Sequence, residues 1–150
     1  MNNSKHLTHN DSTLGDAAVD GLLAGGGAGL LMAAYLIVVG LAMGETVGVV
    51  LGRFDPGRGG APVVGALAHL ATAGIYGALF GMGWRFVPGR WRGRVPGGLA
   101  GLVYGLALFA LAAAVFLPAI ASPLREIPLL HFTAAHALYG LALGWLLARR

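Results

Sequence analysis

Three histidines stand inside otherwise uncharged apolar sequence: His69, His131 and His136. Two imidazoles on facing helices can ligate the iron of a b-type haem, with nearby glycines letting the macrocycle approach. Imidazole also binds copper or zinc. Met43 or Glu45, at the outer end of the first apolar run, are candidate further donors. The competing role is structural: a histidine hydrogen-bonded to Thr72, Thr133, a tyrosine or a backbone carbonyl across the bundle. At about 100° per residue, His69 shares a helix face with Ala73 and Gly77, and His136 shares one with Gly140 and Gly144. His131 points elsewhere, about 140° around the same helix from His136.

Other chemistry is missing. The chain has no cysteine, which removes disulfides, thiolate zinc sites, iron–sulfur clusters and a Cys nucleophile together. It carries no Walker A loop, no G-x-S-x-G and no H-E-x-x-H. Ser122 is the only serine beyond the N-terminal tail. Met32 and Tyr35 read as core-packing residues, and the tail's His6, His9 and Asp11 as solvated. A non-catalytic protein is expected, with haem b or a metal as the alternatives to purely structural histidines.

The elements that position these residues follow from where charge is absent. Of 150 residues, 57% are hydrophobic and 11% charged, against ~25% charged in a soluble domain. Every Asp, Glu, Lys and Arg falls outside four windows: Gly21–Gly44, Pro62–Trp84, Val95–Leu117 and Ile127–Ala148. Each window exceeds the ~20 apolar residues that cross a bilayer as a helix. None alternates in polarity as a barrel strand would. The expected fold is all-α, a four-transmembrane-helix bundle over residues 18–150. Residues 1–17 read as a disordered cytoplasmic tail. Pro118 is expected to close or kink the third helix.

Orientation follows from the positive-inside rule. Lys5, Arg85, Arg90, Arg92, Arg94, Arg149 and Arg150 flank one side; Arg53, Arg58 and Arg125 flank the other. Both termini are therefore expected in the cytoplasm of a bacterium, the chain lying in its inner membrane. Trp84, Trp91 and Trp145 all fall on the cytoplasmic side as interface anchors. The net charge of +4 comes mainly from these flanks and suits anionic lipid. Nucleic acid is not expected, because the basic loop is short and carries no docking motif.

Small residues recur at helical spacing and suit close packing in lipid. The candidate packing positions are Gly25 and Gly29, Gly77 and Gly81, Gly101 and Gly105, and Gly140 and Gly144. The chain also reads as two tandem helical hairpins. Gly21–Gly25 parallels Gly97–Gly101, and Tyr76-Gly77 parallels Tyr139-Gly140. Matching those Tyr-Gly pairs sets His69 level with His131 and places His136 about 6 Å deeper.

The order of features resembles a loose family of small bacterial four-helix membrane proteins of unknown function. The residues carrying the resemblance are Gly25–Gly29 with Met32, His69 before Tyr76-Gly77, Tyr104-Gly105 with Pro118, and His136 through Gly144. The resemblance spans about residues 20–148. It implies the four-helix architecture and draws attention to His69 and His136, and it implies no reaction. The first functional expectation is a non-catalytic polytopic membrane protein, embedded in the lipid bilayer as a homo-oligomer or an accessory subunit of a larger membrane complex. A haem- or metal-binding electron-transfer protein and an oligomeric transporter or channel are the alternatives.

Overall fold

A computed structural model describes residues 13–116 and 123–149, excepting the side chains of Trp91 and Phe116. The chain runs through α1 (Leu14–Ala42), α2 (Val47–Gly52), α3 (Pro62–Trp84), α4 (Arg94–Leu111) and α5 (Leu129–Leu147). Single 3₁₀ turns occupy Gly89–Trp91 and Pro123–Glu126. The architecture is an all-helical bundle. Four of its helices are long and apolar enough to cross a membrane, which makes the chain a multi-pass membrane protein. Their outward leucines and valines, such as Leu30, Val38, Leu67 and Val103, are exposed, as lipid-facing residues must be.

Helix α1 begins well before the expected Gly21 boundary, so residues 14–17 are helix and not tail. The cause is a capping box. The Thr13 hydroxyl accepts the Asp16 N–H at 3.1 Å, and the Asp16 carboxylate accepts the Thr13 N–H at 2.7 Å. Early acidic residues suit the positive end of a helix, so charge there did not mark the helix start. The short apolar run Val47–Gly52 forms α2, capped by the Thr46 hydroxyl. Its Val50 is 2% exposed, buried against α1 at Gly40. At its far end, α4 passes into a π-helical turn over Ala112–Phe116. Pro118 lies outside the described residues.

Two hairpins make the bundle: α1 packs along α3, and α4 along α5. Glycine sets the approach in each. A Cβ added at Gly25 would stand 2.7 Å from the Gly77 Cα, and one at Gly101 would stand 2.9 Å from the Gly144 Cα. Backbones this close leave no room for a side chain, so the stripes are spent on contacts within the chain.

The same contacts give the register of the internal repeat. Gly25 meets Ala73 and Gly77 through the same atoms by which Gly101 meets Gly140 and Gly144. Gly77 thus corresponds to Gly144, not Gly140. Aligning the Tyr-Gly pairs therefore misplaces the second helix of each hairpin by one turn. In the structural register His69 corresponds to His136. His131 is not its level partner.

Candidate functional site

The two hairpins meet mainly along one seam. Helix α1 packs along α5, while α3 and α4 approach each other at few points. By the repeat, these two seams are counterparts. The closed one is filled by buried Met32 and Leu36 of α1 and by Phe132, Tyr139 and Leu143 of α5. Their counterparts across the open seam are Leu108, Ala112, Gly65, Thr72 and Tyr76. Two of these leave space at the open seam, Ala for Leu36 and Thr for Tyr139, whereas Gly65, in place of Phe132, is packed against the Leu51 carbonyl of α2. Missing volume that neighbours do not fill remains as a cavity.

A cavity of about 400 Å³ occupies that place. Its walls include Ala68, His69, Thr72 and Tyr76 of α3, and Leu108, Leu111 and Ala112 at the end of α4. Met32, Phe132, His136 and Tyr139 form its inner side, and Phe54, Pro56 and Leu124 its outer end. Below it, toward the 85–94 loop, the seam closes. There the Tyr104 hydroxyl donates to the Tyr76 carbonyl at 2.8 Å, with the Phe80 ring 5.0 Å from that of Tyr104. The Tyr139 hydroxyl donates to the Ala73 carbonyl at 2.7 Å and ties α5 to α3.

His69 and His136 both line the cavity. In hydrocarbon the neutral ring, with one N–H and one lone pair, is the cheaper form. The hydrogen-bond partner assigns the tautomer, because a carbonyl only accepts. His69 donates from Nε2 to the Gly29 carbonyl at 3.0 Å, leaving Nδ1 as the acceptor. His136 donates from Nδ1 to the Phe132 carbonyl of its own helix at 2.8 Å, leaving Nε2 as the acceptor. Phe54 packs on His69 at 4.6 Å between ring centroids, and Phe132 meets His136 edge-on at 4.5 Å.

His131 belongs elsewhere. Its Nδ1 bonds the Tyr35 hydroxyl at 2.9 Å, so it links α5 to α1 away from the cavity. Met43 and Glu45 are not brought to the histidines either. They border a small separate crevice with Val50 and Ile127, and the Glu45 carboxylate is bound by Arg53. Among the described residues, no three of His, Cys, Asp or Glu gather as a metal site. A bis-imidazole haem also fits poorly. His69 would have to release the Gly29 carbonyl to present Nε2, because Nδ1 sits beside the ring's own Cβ attachment and crowds a macrocycle.

Above the cavity, Arg53 holds two segments together. It bonds Glu45 at 2.6 Å and Glu126 at 3.1 Å, joining the α1–α2 turn to the segment before α5. The Arg53 hydrogen bond holds the Glu45 carboxyl below its usual pKa. Asp55, 7% exposed, accepts the N–H groups of Ala61 at 3.1 Å and Gly57 at 2.9 Å. Those bonds hold its carboxyl below the ordinary range. The loop carrying Phe54 and Pro56 is thereby fixed, with Gly60 at φ 68° supplying the left-handed turn that favours glycine.

Of the expected anchors, Trp84 is partly buried, stacked on Phe80 at 5.8 Å between centroids. Trp145 is 41% exposed beneath the Arg149 guanidinium. The side chain of Trp91 lies outside the described residues. Sequence reading missed Thr72, Tyr76, Leu108 and Ala112 as cavity residues. For Thr72 and Ala112 the signal was comparative: small residues on α3 and α4 where the structural register of the repeat places Tyr139 and Leu36. Comparison with known proteins finds no matching family model, no matching curated protein and no matching solved structure.

Proposed function

We propose that this chain is a non-catalytic membrane protein that binds a small neutral molecule between α3 and α4. The observation carrying this reading is the cavity of about 400 Å³ lined by two histidines, each with one ring nitrogen left as an acceptor. Small-molecule sites are concave, largely apolar and carry a few convergent polar groups. No Asp, Glu, Lys, Arg or Cys lines the cavity among the described residues, so it lacks paired carboxylates or an activated thiol. Self-association and docking into a larger complex draw no support from the glycine stripes, since those faces pack within the chain.

The arginine distribution supports a bacterial cytoplasmic membrane with both termini inside. On the opposite side, Arg53 is neutralised by Glu45 and Glu126. The bilayer is the partner of the outer surface.

The experiment is extraction of the full chain in native-lipid nanodiscs, followed by mass spectrometry of retained small molecules. A compound present in near-stoichiometric amount, and lost in Thr72→Trp, supports the reading. A wild-type particle retaining only bulk membrane lipid overturns it.

A further inference from the structure

Thr72 and Leu111 line the cavity and are also exposed on the outside of the bundle. Thr72 lies near the middle of α3. Among the described residues the cavity therefore has, besides the exposed Pro56 of the outer loop at its other end, a side opening at a depth where a bilayer supplies hydrocarbon and not water. A molecule arriving by that route is neutral, because a charged one pays heavily to leave water. The absence of charged lining residues among those described agrees.

The polar groups narrow the class further. Nδ1 of His69 and Nε2 of His136 are acceptors, fixed so by the Gly29 and Phe132 carbonyls. Tyr139 spends its hydroxyl hydrogen on the Ala73 carbonyl. The two histidine acceptors select donors on the ligand, while the Thr72 and Tyr76 hydroxyls of the lining can each donate or accept. The lining also carries the aromatic rings of Phe54, Tyr76 and Phe132, which suit a flat ring.

Resting on the ligand-binding reading above, we infer that the ligand is a lipid-soluble aromatic diol of the hydroquinone type. It enters between α3 and α4 and donates its hydroxyls to His69 Nδ1 and His136 Nε2. The corresponding quinone carries acceptors at the same positions. To bind it equally well, both histidines would exchange tautomers and give up their carbonyl partners.

The test uses the full chain in nanodiscs under anaerobic conditions, with a reductant present for the hydroquinone and absent for the quinone. The probes are a decyl-substituted hydroquinone, the matching quinone and the matching dimethyl ether, followed by titration calorimetry. The hydroquinone is expected to bind once per chain, with the quinone and ether each about tenfold or more weaker. His136→Phe is expected to bring hydroquinone binding down to the level of the ether. Equal binding of all three compounds overturns the hydroxyl-donor inference and leaves the cavity reading standing. Binding of none of them overturns the inference, while the retained-molecule mass spectrum decides the ligand-binding reading separately. The comparison among ligands is made on one unaltered protein, so it does not depend on a variant folding.

Discussion

His69 and His136 hold the same register in two different hairpins, one turn from Ala73 and Gly140, the small residues at which each hairpin closes. The repeat brings them to one cavity, yet they are not equivalent within it. His69 donates across the hairpin to Gly29, whereas His136 donates within its own helix to Phe132. One therefore offers Nδ1 and the other Nε2. Asymmetry in the side chains around them, not in the backbone plan, makes one seam solid and the other hollow.

That asymmetry can be reversed by copying residues from the closed seam. Thr72→Tyr reproduces Tyr139, and Ala112→Leu reproduces Leu36. Each is expected to fill the cavity and weaken ligand binding tenfold or more. Neither is expected to lower the thermal unfolding midpoint in detergent, because each adds volume to empty space. A variant that unfolds earlier would show the cavity to be smaller than described.

Glycine at the hairpin contacts admits no side chain. Gly101→Leu and Gly25→Leu force the backbones apart and are expected to destabilise the bundle by about 1–3 kcal/mol or more. Gly26→Ala is the control, since nothing lies within 4 Å of a Cβ there. Denaturation in SDS micelles should separate the first two from the third.

Tyr104 is the hydrogen-bonded link that closes the lower seam between α4 and α3. Tyr104→Phe removes its bond to the Tyr76 carbonyl, and the expected loss is about 0.5–1.5 kcal/mol. Spin labels on α3 and α4 should report a broader distance distribution in the variant than in the wild type.

The outer loops carry the pH dependence. Glu45 and Asp55 both titrate below their ordinary range when folded. A depressed carboxylate contributes stability above its unfolded pKa and loses it as pH falls through the folded value. The loops are therefore expected to be fully held at neutral pH and to loosen as pH drops below the usual carboxylate range. Arg53→Gln should remove the Glu45 part of this dependence and leave the Asp55 part. Hydrogen exchange of residues 45–61 against pH measures both.

Because the natural chain has no cysteine, single cysteines report topology without background. Arg92→Cys is expected to react with an impermeant maleimide only after the membrane is opened. Arg58→Cys should react in intact cells. The reverse pattern would invert the orientation.

Much of the architecture was legible because the bilayer punishes charge so heavily. Exclusion of Asp, Glu, Lys and Arg from four windows located all four spans, and α3 matches its window at both ends. The miss at the start of α1 came from extending the tail through residue 17, although the acidic Asp16 of the first turn stabilises a helix. The alignment of Tyr76 with Tyr139 was wrong because both are followed by glycine in sequences rich in Ala, Leu and Gly. Short matches there carry little information, and interhelical contacts must set the register.

By itself the sequence determined the helical class, the four spans, the glycine faces and the interest of His69 and His136. These are local or solvent-partition properties, written in composition and spacing. Only the tertiary structure decided that the glycines close hairpins within the chain, that His131 belongs to Tyr35, and that one seam stays open. Those outcomes depend on which helix faces which and on volume compared across a pseudo-symmetric pair. The tautomers followed last, since a histidine's free nitrogen is fixed by the carbonyl its other nitrogen meets.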